Sequence, residues 1–591
     1  MYGIAFGDQL RLGALLAGYE ARALLAALYS SPFYRWRFSG PVPERLTVAP
    51  QDLRTADPTI AADIYAGRFS LEGETAESGG QSPFHIDPPS SRWLNTLHGF
   101  GWLRHLRAAD TELSRIHSRS LIDDWLTEFG RWDPIAWKPE VTARRLISWL
   151  CHSPLILSGA DAAFYRRFLR SLSRQARYLY RTAGESGEGA PRLLAAMALC
   201  YAGLCMSGQS RLQRHAGRWL DEELERQILP DGGHTSRNPA VIIDVLLDLL
   251  PLRQTFLACN VAPTSRLMSA IDRMMPMLRF FRHGDGVMAH FNGMGPTHVD
   301  LMATLLAYDD TRGAPPSEAR HSGYQRLESA TADLIMDTGT PPPPLQSGEA
   351  HAGCLSFELC ADGARLVINC GAPAHGDPRW RGVARATAAH STATIADTSS
   401  ARFAASDWVC RRVGSVVTAG PGAVRAERHD DADALAVSAS HDGYVAPFGY
   451  IHERRLVLSR AGDRLTGEDS FHQAGDAGAE DPEFAIRFHL HPTVRASRTT
   501  DGERVVLITT RNSAWEFFAS GAEITVEESI YLGGIEGPRR SSQIVLNGRC
   551  RSTPSVSWRF DRMARPSRRG QQAQPRTEEL PLDEPDADDA D

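Results

Sequence analysis

The sequence predicts a chain of two unlike halves, a helical half followed by an antiparallel β-sandwich. Apolar residues recur at helical spacing from Trp93 to about Tyr308, in segments of a dozen or more separated by short polar breaks. A proline- and glycine-rich interruption follows between 311 and 350. Beyond it, short alternating runs are joined by tight-turn residues. With 42% hydrophobic and 23% charged residues over 591 positions, the composition is that of a globular protein with room for more than one core.

Residues 1–90 read as an N-terminal wrapping segment, with a helix from Leu10 to Leu28 and then a Pro- and Gly-rich stretch laid over the helical half. Residues 91–320 carry the helical half, with segments at 121–129, 142–155, 164–180, 192–206 and 211–229 spaced as antiparallel hairpins. In 241–250 apolar residues cover most of the helix circumference, and Asp244 and Asp248, four apart, share one narrow stripe, so that helix is buried on nearly all sides. Repeated helical pairs either stack as a solenoid or close into an α/α toroid, and periodicity does not choose between them.

Residues 321–345 read as a linker, because Gly313-Ala-Pro-Pro316 and the tetraproline 341–344 break any helix. Residues 346–563 read as the sandwich. Leu355, Phe357 and Leu359 alternate with Ser356 and Glu358, and Ala361-Asp362-Gly363 then turns the chain into 366–369. The same grammar recurs at Ala461-Gly462-Asp463 and at Asp501-Gly502. Residues 564–591 are arginine-rich and then acidic, without apolar periodicity, and read as a disordered acidic tail.

Net charge is −7, and the C-terminal acids from Glu578 to Asp591 leave the body close to neutral. With no basic run interleaved with aromatics, nucleic acid is excluded as a partner. Lys138 is the single lysine, so positive charge is arginine, which pairs bidentately with carboxylates and sulfates. Nine scattered cysteines without a CxxC pair indicate neither a zinc ribbon nor a disulfide framework, and Cys354, Cys360 and Cys370 are expected as buried thiols. No run approaches the roughly 18 apolar residues of a membrane span. The N-terminus lacks the pattern of a secretory signal, which places the chain inside the cell as written.

Three stretches resemble the heparinase II/III family. The first is 229–239 (LPDGGHTSRNP), opening a helix; the second is 284–293 (GDGVMAHFNG). The third runs from 367–371 (VINCG) through 380–392 (WRGVARATAAHST) to 441–444 (HDGY) and 452–455 (HERR). The resemblance implies an α/α toroid (an incomplete α/α barrel) followed by the sandwich. It also implies a lyase that cleaves a uronic-acid polysaccharide by β-elimination, and an envelope or periplasmic setting. Such chemistry needs an amide or arginine to neutralise the uronate carboxylate, a base to take the neighbouring proton, and a donor to the departing oxygen. Mapped onto this chain, the catalytic candidates are His234, Asn238, His290 and Tyr444, with Arg237, Asn292 and Arg385 binding substrate. A structural zinc maps to His390, Asp407 and His441, ligand types suited to that metal; no organic cofactor is expected, and a homodimer is.

The chain departs from the family pattern at three places. It reads His390-Ser391-Thr392 where the family usually has His-Asn-Thr. Ala388 stands where some members have a further histidine, and the tyrosine of the second toroid loop has no counterpart, the nearest polar residues being His290 and Asn292. Two rival readings follow. A glycoside hydrolase would need two carboxylates flanking the bond, and the Asp244/Asp248 pair is more readily a solvated or salt-bridged edge. A non-catalytic polysaccharide-binding protein on the same fold is the other. Asn238-Pro239 also serves as an ordinary helix cap, and His489-Leu490-His491 as a sandwich surface.

Overall fold

The computed structural model describes residues 6–30, 38, 40–309, 313–374, 378–474, 481–511 and 513–563. The tail expected to be disordered, 564–591, lies outside these. An N-terminal helix α1 (Phe6–Ser30) precedes nine main helices of the helical half: α2 (Ser91–Gly99), α3 (Glu112–Glu128), α4 (Pro139–Cys151), α5 (Ala162–Thr182), α6 (Ala190–Cys205), α7 (Ser210–Gln227), α8 (Pro239–Ala258), α9 (Ser265–Phe280) and α10 (Val299–Ala307). The helical segments read from periodicity fall on these helices, except that 142–155 runs past the end of α4 into a separate short helix, Ser153–Leu157.

These helices form two concentric layers. Helices α2, α4, α6, α8 and α10 pack in succession as an inner layer, while α3, α5, α7 and α9 lie outside them. Helix α6 is apolar on all faces because it is enclosed by α4, α7 and α8; from Leu193 to Cys205 only Leu194 is not fully buried. The N-terminal ends of α2, α6 and α8 meet the β half, where Arg92 faces Glu349, Gly189 abuts Gln346, and Arg237 enters the sheet. The opposite ends of α4 and α6 are sealed by the extended segment around 45–52: Thr47 N–H donates to Cys205 O (2.8 Å), and Asp52 lies 3.4 Å from His152.

Inside the ring, Asp248 is held by four charge-assisted hydrogen bonds, two from Arg54 (2.9 and 3.1 Å) and two from Arg144 (2.9 and 2.8 Å). Those arginines hold its carboxyl at about 2 despite burial. Both oxygens are spent on the clamp, which removes the Asp244/Asp248 pair as a hydrolase site.

The β half contains two large antiparallel sheets, beside a small two-stranded one of Arg402–Phe403 and Val417–Ala419. One of nine strands runs in the order Glu523–Tyr531, Arg539–Arg549, Glu483–Leu490, Ala364–Ile368, Phe357–Ala361, Ala332–Asp337, Tyr324–Glu328, Glu318–Ala319, with Ala393–Ile395 also pairing to Glu483–Leu490. The other runs Val424–Asp430, Ala434–His441, Tyr450–Ser459, Arg464–Gln473, Ser555–Arg562, Ala514–Ser520, Arg504–Ile508, Arg495–Arg498. Their facing side chains, among them Phe357, Phe488, Phe517, Trp558 and Phe560, form the sandwich core.

One expectation is corrected here. The 321–345 stretch is not a linker, because Tyr324–Glu328 and Ala332–Asp337 are inner strands of the nine-stranded sheet. The strand Phe357–Ala361, Glu358 included, is buried on both faces, since the sheet packs one face on its partner sheet and the other on the helical half. Arg326 reaches the Phe280 carbonyl (2.9 Å), and Phe281 meets Tyr324 edge to face.

Candidate functional site

The 229–239 turn is built for close approach. Gly232 (φ +90°) leaves no room for a Cβ against the Arg273 carbonyl, and Asp231 accepts from Ser322 N–H and Oγ, each at 2.7 Å, stitching the turn to the sheet. His234 is buried with both ring nitrogens engaged. Nδ1 accepts from Ser236 N–H (3.0 Å), so Nε2 carries the proton and donates to Gln227 Oε1 (3.0 Å). Burial pushes its pKa down to about 4, and no lone pair remains for a substrate.

Arg237 is equally committed. Its guanidinium donates to the carbonyls of Ser322 (2.8 Å), Thr340 (2.9 Å) and Gly323 (3.0 Å), pairs with Asp337, and lies 4.7 Å from the Tyr324 ring centre. It therefore pins helical half to sheet. Asn292 is spent in the same knot: its amide donates to Tyr324 OH (2.8 Å), and its oxygen accepts from His351 N–H (3.2 Å).

Asn238 differs. Its Oδ1 caps α8 by accepting Ala240 N–H (2.9 Å), with Pro239 in the first turn. Its Nδ2 points toward Gly293 (φ +94°), where a Cβ would stand 3.0 Å from that nitrogen and 2.9 Å from the Glu349 Cβ. Asn238, Gly293 and Glu349 thus meet where the two halves join.

Glu349 is exposed and lies between two arginines, Arg92 from α2 (3.4 Å) and Arg381 from α11 (Pro378–Arg385) (3.5 Å). Desolvation raises its carboxyl, and Arg92 and Arg385 oppose the shift. Arg385 holds the loop from beneath by donating to Ala350 O (2.7 Å) and Ser347 O (2.9 Å) while its guanidinium stacks 4.0 Å over Phe403. It positions the loop and is not free for substrate.

Two residues along, His351 shares a hydrogen bond with His390 (Nδ1 to Nε2, 3.0 Å). His390 Nδ1 faces the Ala386 carbonyl (2.8 Å) and must donate to it, so His351 Nδ1 donates to His390 and the His351 Nε2 carries the lone pair. That nitrogen has no protein partner among the described residues. Burial holds the ring well below its ordinary pKa, and His390 sits at about 4 for the same reason.

The remaining candidates are held by other partners. His290 is buried, with Nδ1 3.5 Å from Glu358 Oε1 and Nε2 3.5 Å from Tyr531 OH, and Gly533 and Gly371 press on its ring. Glu358 also meets His283 Nε2 (3.1 Å), whose other nitrogen pairs with Asp333. Burial opposes the charge of His283, but the two carboxylates prevail and raise its pKa to about 9. Tyr444 is fully buried in the sandwich core, its OH donating to Ala393 O (2.8 Å).

The expected zinc triad does not assemble. His390 is engaged as above, and Asp407 is an exposed first residue of α12 (Asp407–Val413). His441 accepts Gly443 N–H at Nδ1 (3.1 Å) and faces His452 through Nε2 (3.4 Å). Among the described residues no group of three or more His, Cys, Asp or Glu side chains could hold a metal ion. These residues do not fit the metal, and no chemistry is derived through one. His489, read as part of a sandwich surface, is buried instead, its ring contacting Ser529 Oγ (2.7 Å) and the Ala388 carbonyl (3.0 Å).

Residues 311–559 match the family model described as heparinase II/III-like, C-terminal. FtsZ-localized protein C of Caulobacter vibrioides (strain NA1000 / CB15N) is 32% identical over 576 residues, covering 94% of this chain and 97% of that protein. The chain belongs to the heparinase II/III-like family. The family's solved structures share its architecture. The crystal structure of heparinase III superposes with a TM-score of 0.66 at 13% identity, covering 95% of this chain and 92% of that one. A mutant of the heparan sulfate lyase HepC from Pedobacter heparinus gives 0.61 at 16% identity with the same coverages. The fold is thus the α/α toroid plus β-sandwich of heparinase III, and no helix among the described residues is long and apolar enough to cross a membrane. Sequence reading missed four site residues: Arg92, Glu349 and His351 carry no local motif, and Arg381 lies in the 380–392 stretch without having been singled out. Arg92 and Glu349 meet across 257 positions of chain.

Proposed function

We propose that this heparinase II/III-like protein binds a uronate-bearing polysaccharide at the mouth between toroid and sandwich and cleaves it by β-elimination, with His351 as the base. The observation that carries the reading is Glu349, an exposed carboxylate lying 3.4 and 3.5 Å from two arginines contributed by opposite halves. It occupies the position a uronate carboxylate would take. A substrate carboxylate replacing it would meet Arg92, Arg381 and the Asn238 amide, which together make the proton on the neighbouring carbon more acidic. The His351 Nε2 lone pair takes that proton, the electron pair forms the carbon–carbon double bond, and the glycosidic C–O bond breaks. The departing oxygen then recovers a proton from the His351 imidazolium or water.

A second reading, polysaccharide binding without cleavage, is favoured by one observation. His351 is the single uncommitted proton carrier among the residues considered, and its lowered pKa makes it a weak base.

One experiment addresses both. Heparin, heparan sulfate and alginate oligosaccharides are titrated calorimetrically and then followed by the ultraviolet absorbance of the unsaturated product. Glu349→Ala is expected to tighten binding by about tenfold by removing the internal competitor, and Arg92→Ala or Arg381→Ala to weaken it by about tenfold. His351→Ala should abolish absorbance while leaving Kd within about threefold. Binding without absorbance in the unmodified protein selects the second reading, and absorbance that survives His351→Ala removes the assignment of the base. Affinity indifferent to Glu349, Arg92 and Arg381 removes the mouth as the binding site.

A further inference from the structure

On the outer face of the toroid a groove of about 780 Å³, lined by none of the mouth residues, runs between α5 and α7, floored by Leu199 of α6. It continues past Tyr180, Arg181 and His215 into a second recess of about 290 Å³ reaching Arg177 and Arg211. Their size is that of ligand clefts. None of the motifs read from the sequence accounts for them.

The lining is cationic and aromatic. Arg177 and Arg181 stand four apart on α5, as do Arg214 and Arg218 on α7, a like-charge spacing that weakens a helix. Among the described residues none of Arg177, Arg181, Arg211 and Arg218 has a carboxylate within ion-pair distance. Arg177 donates to the carbonyls of Phe38 and Pro41, Arg181 lies 5.8 Å from the Phe38 ring centre, and Arg218 contacts His215 Nδ1 (2.8 Å). Burial and the neighbouring Arg181 charge both lower the pKa of Arg177, as expected where positive charge is unbalanced. Glu222 is the one acid lining the larger groove. Tyr180 is 48% exposed, with the His215 ring edge-on at 6.0 Å, and the indole of Trp219 adds a further flat face.

Uncompensated guanidinium groups beside exposed ring faces select a ligand that is anionic and also offers flat apolar surface. An acidic sugar chain is both: its carboxylates or sulfates pair with arginine, and the C–H faces of its rings stack on aromatics. We propose that this outer groove is a second binding site for an acidic polysaccharide, holding the polymer on the toroid wall apart from the mouth. The inference rests on the reading that the protein recognises such polymers, and it adds a site that this reading does not require.

The test uses the full chain and size-defined heparin and alginate oligosaccharides, titrated at two salt concentrations. The unmodified protein is expected to show two classes of site. Arg181→Ala/Arg211→Ala/Arg218→Ala should remove one class or weaken it at least tenfold, with circular dichroism unchanged because these side chains are exposed. Tyr180→Ala should weaken it several-fold without altering its salt dependence. Arg92→Ala/Arg381→Ala should remove only the other class. A triple variant that binds as the unmodified protein does overturns the groove and leaves the mouth standing. The converse, all binding lost with the triple variant and none with the mouth variant, overturns the mouth alone. A short DNA duplex that competes fully, and whose binding is insensitive to Tyr180→Ala, overturns the polysaccharide assignment in favour of unspecific polyanion attraction.

Discussion

Transfer from pH 7 to pH 5 is expected to unfold most of this protein, because much of its histidine is buried in the neutral form. Burial pushes the pKa of His98 and His489 to about 3 and of His105, His234 and His390 to about 4. All five are buried. In the unfolded chain each titrates near 6.5, so as pH falls through 6.5 the unfolded state binds protons that the fold refuses, and stability is lost. At pH 5 the loss is roughly 2 kcal/mol per residue and roughly 10 kcal/mol for the five, comparable with the whole stability of a typical domain. His152, His351, His441 and His452 are lowered too and add in the same direction. Buried carboxylates such as Asp469 and Glu358 have folded pKa values below their unfolded ones. Their contribution is present above about pH 4 and is lost only below it, outside this window. His283 acts oppositely: with a folded pKa of about 9, its contribution is complete below 6.5 and fades as pH rises through 9. Urea midpoints measured from pH 4.5 to 9.5 should therefore peak near neutrality and collapse on the acid side. A flat profile between pH 7 and pH 5 would show that these rings reach water.

The helices were legible because a dozen residues of 3.6-residue periodicity leave little choice, and the hairpins because Asp362-Gly363 and Asp501-Gly502 are turn residues between alternating runs; Asp362 (φ +53°) and Gly363 (φ +68°) both adopt the left-handed region. Closure of the helices into a ring was not legible from periodicity, since a solenoid has the same local pattern. Glu358 alternates with Phe357 and Leu359 yet is buried, because alternation implies an outward polar face only when that face meets water. Here the toroid covers it, and the carboxylate becomes the anchor of His283 and His290.

The candidate site was legible in part. Asn238 was visible as a polar residue before Pro239 at a helix start, and the structure leaves its amide turned toward Gly293 and Glu349. Arg237, its neighbour, has the right chemistry for a uronate but finds its partners within the chain, in Asp337 and three carbonyls. A sequence shows that an arginine is available; it does not show whether a strand a hundred positions later will consume it. Glu349 and His351 lie just past the tetraproline, in a stretch whose composition announces a break and nothing else. Their roles arise from Arg92, Arg381 and His390, each from a different element.

Replacing Arg454 by alanine is expected to destabilise the sandwich by about 3–5 kcal/mol, the cost of leaving a buried charge without its partner. Arg454 and Asp469 are both fully buried. The guanidinium donates to both carboxylate oxygens (2.8 and 3.1 Å), and Asp469 also accepts from His452 Nε2 (2.7 Å) and Trp558 Nε1 (2.8 Å). Without Arg454 these two neutral donors remain, too little to hold an anion with no access to water. Combining Arg454→Met with Asp469→Asn removes both charges, keeps an acceptor for one donor, and should recover roughly 2 kcal/mol of the loss. The third nitrogen gives the substitution a reach beyond stability. It donates to Leu355 O (3.0 Å) and Ser391 O (2.6 Å), fixing the backbone beside His390 and hence the orientation of His351. The double variant should therefore fold but bind acidic oligosaccharide less tightly than the unmodified protein. Urea denaturation and calorimetric titration of the two variants read both effects. A single substitution costing under about 1 kcal/mol would mean that water reaches Asp469, and a double variant with undiminished affinity would detach the sandwich core from the mouth.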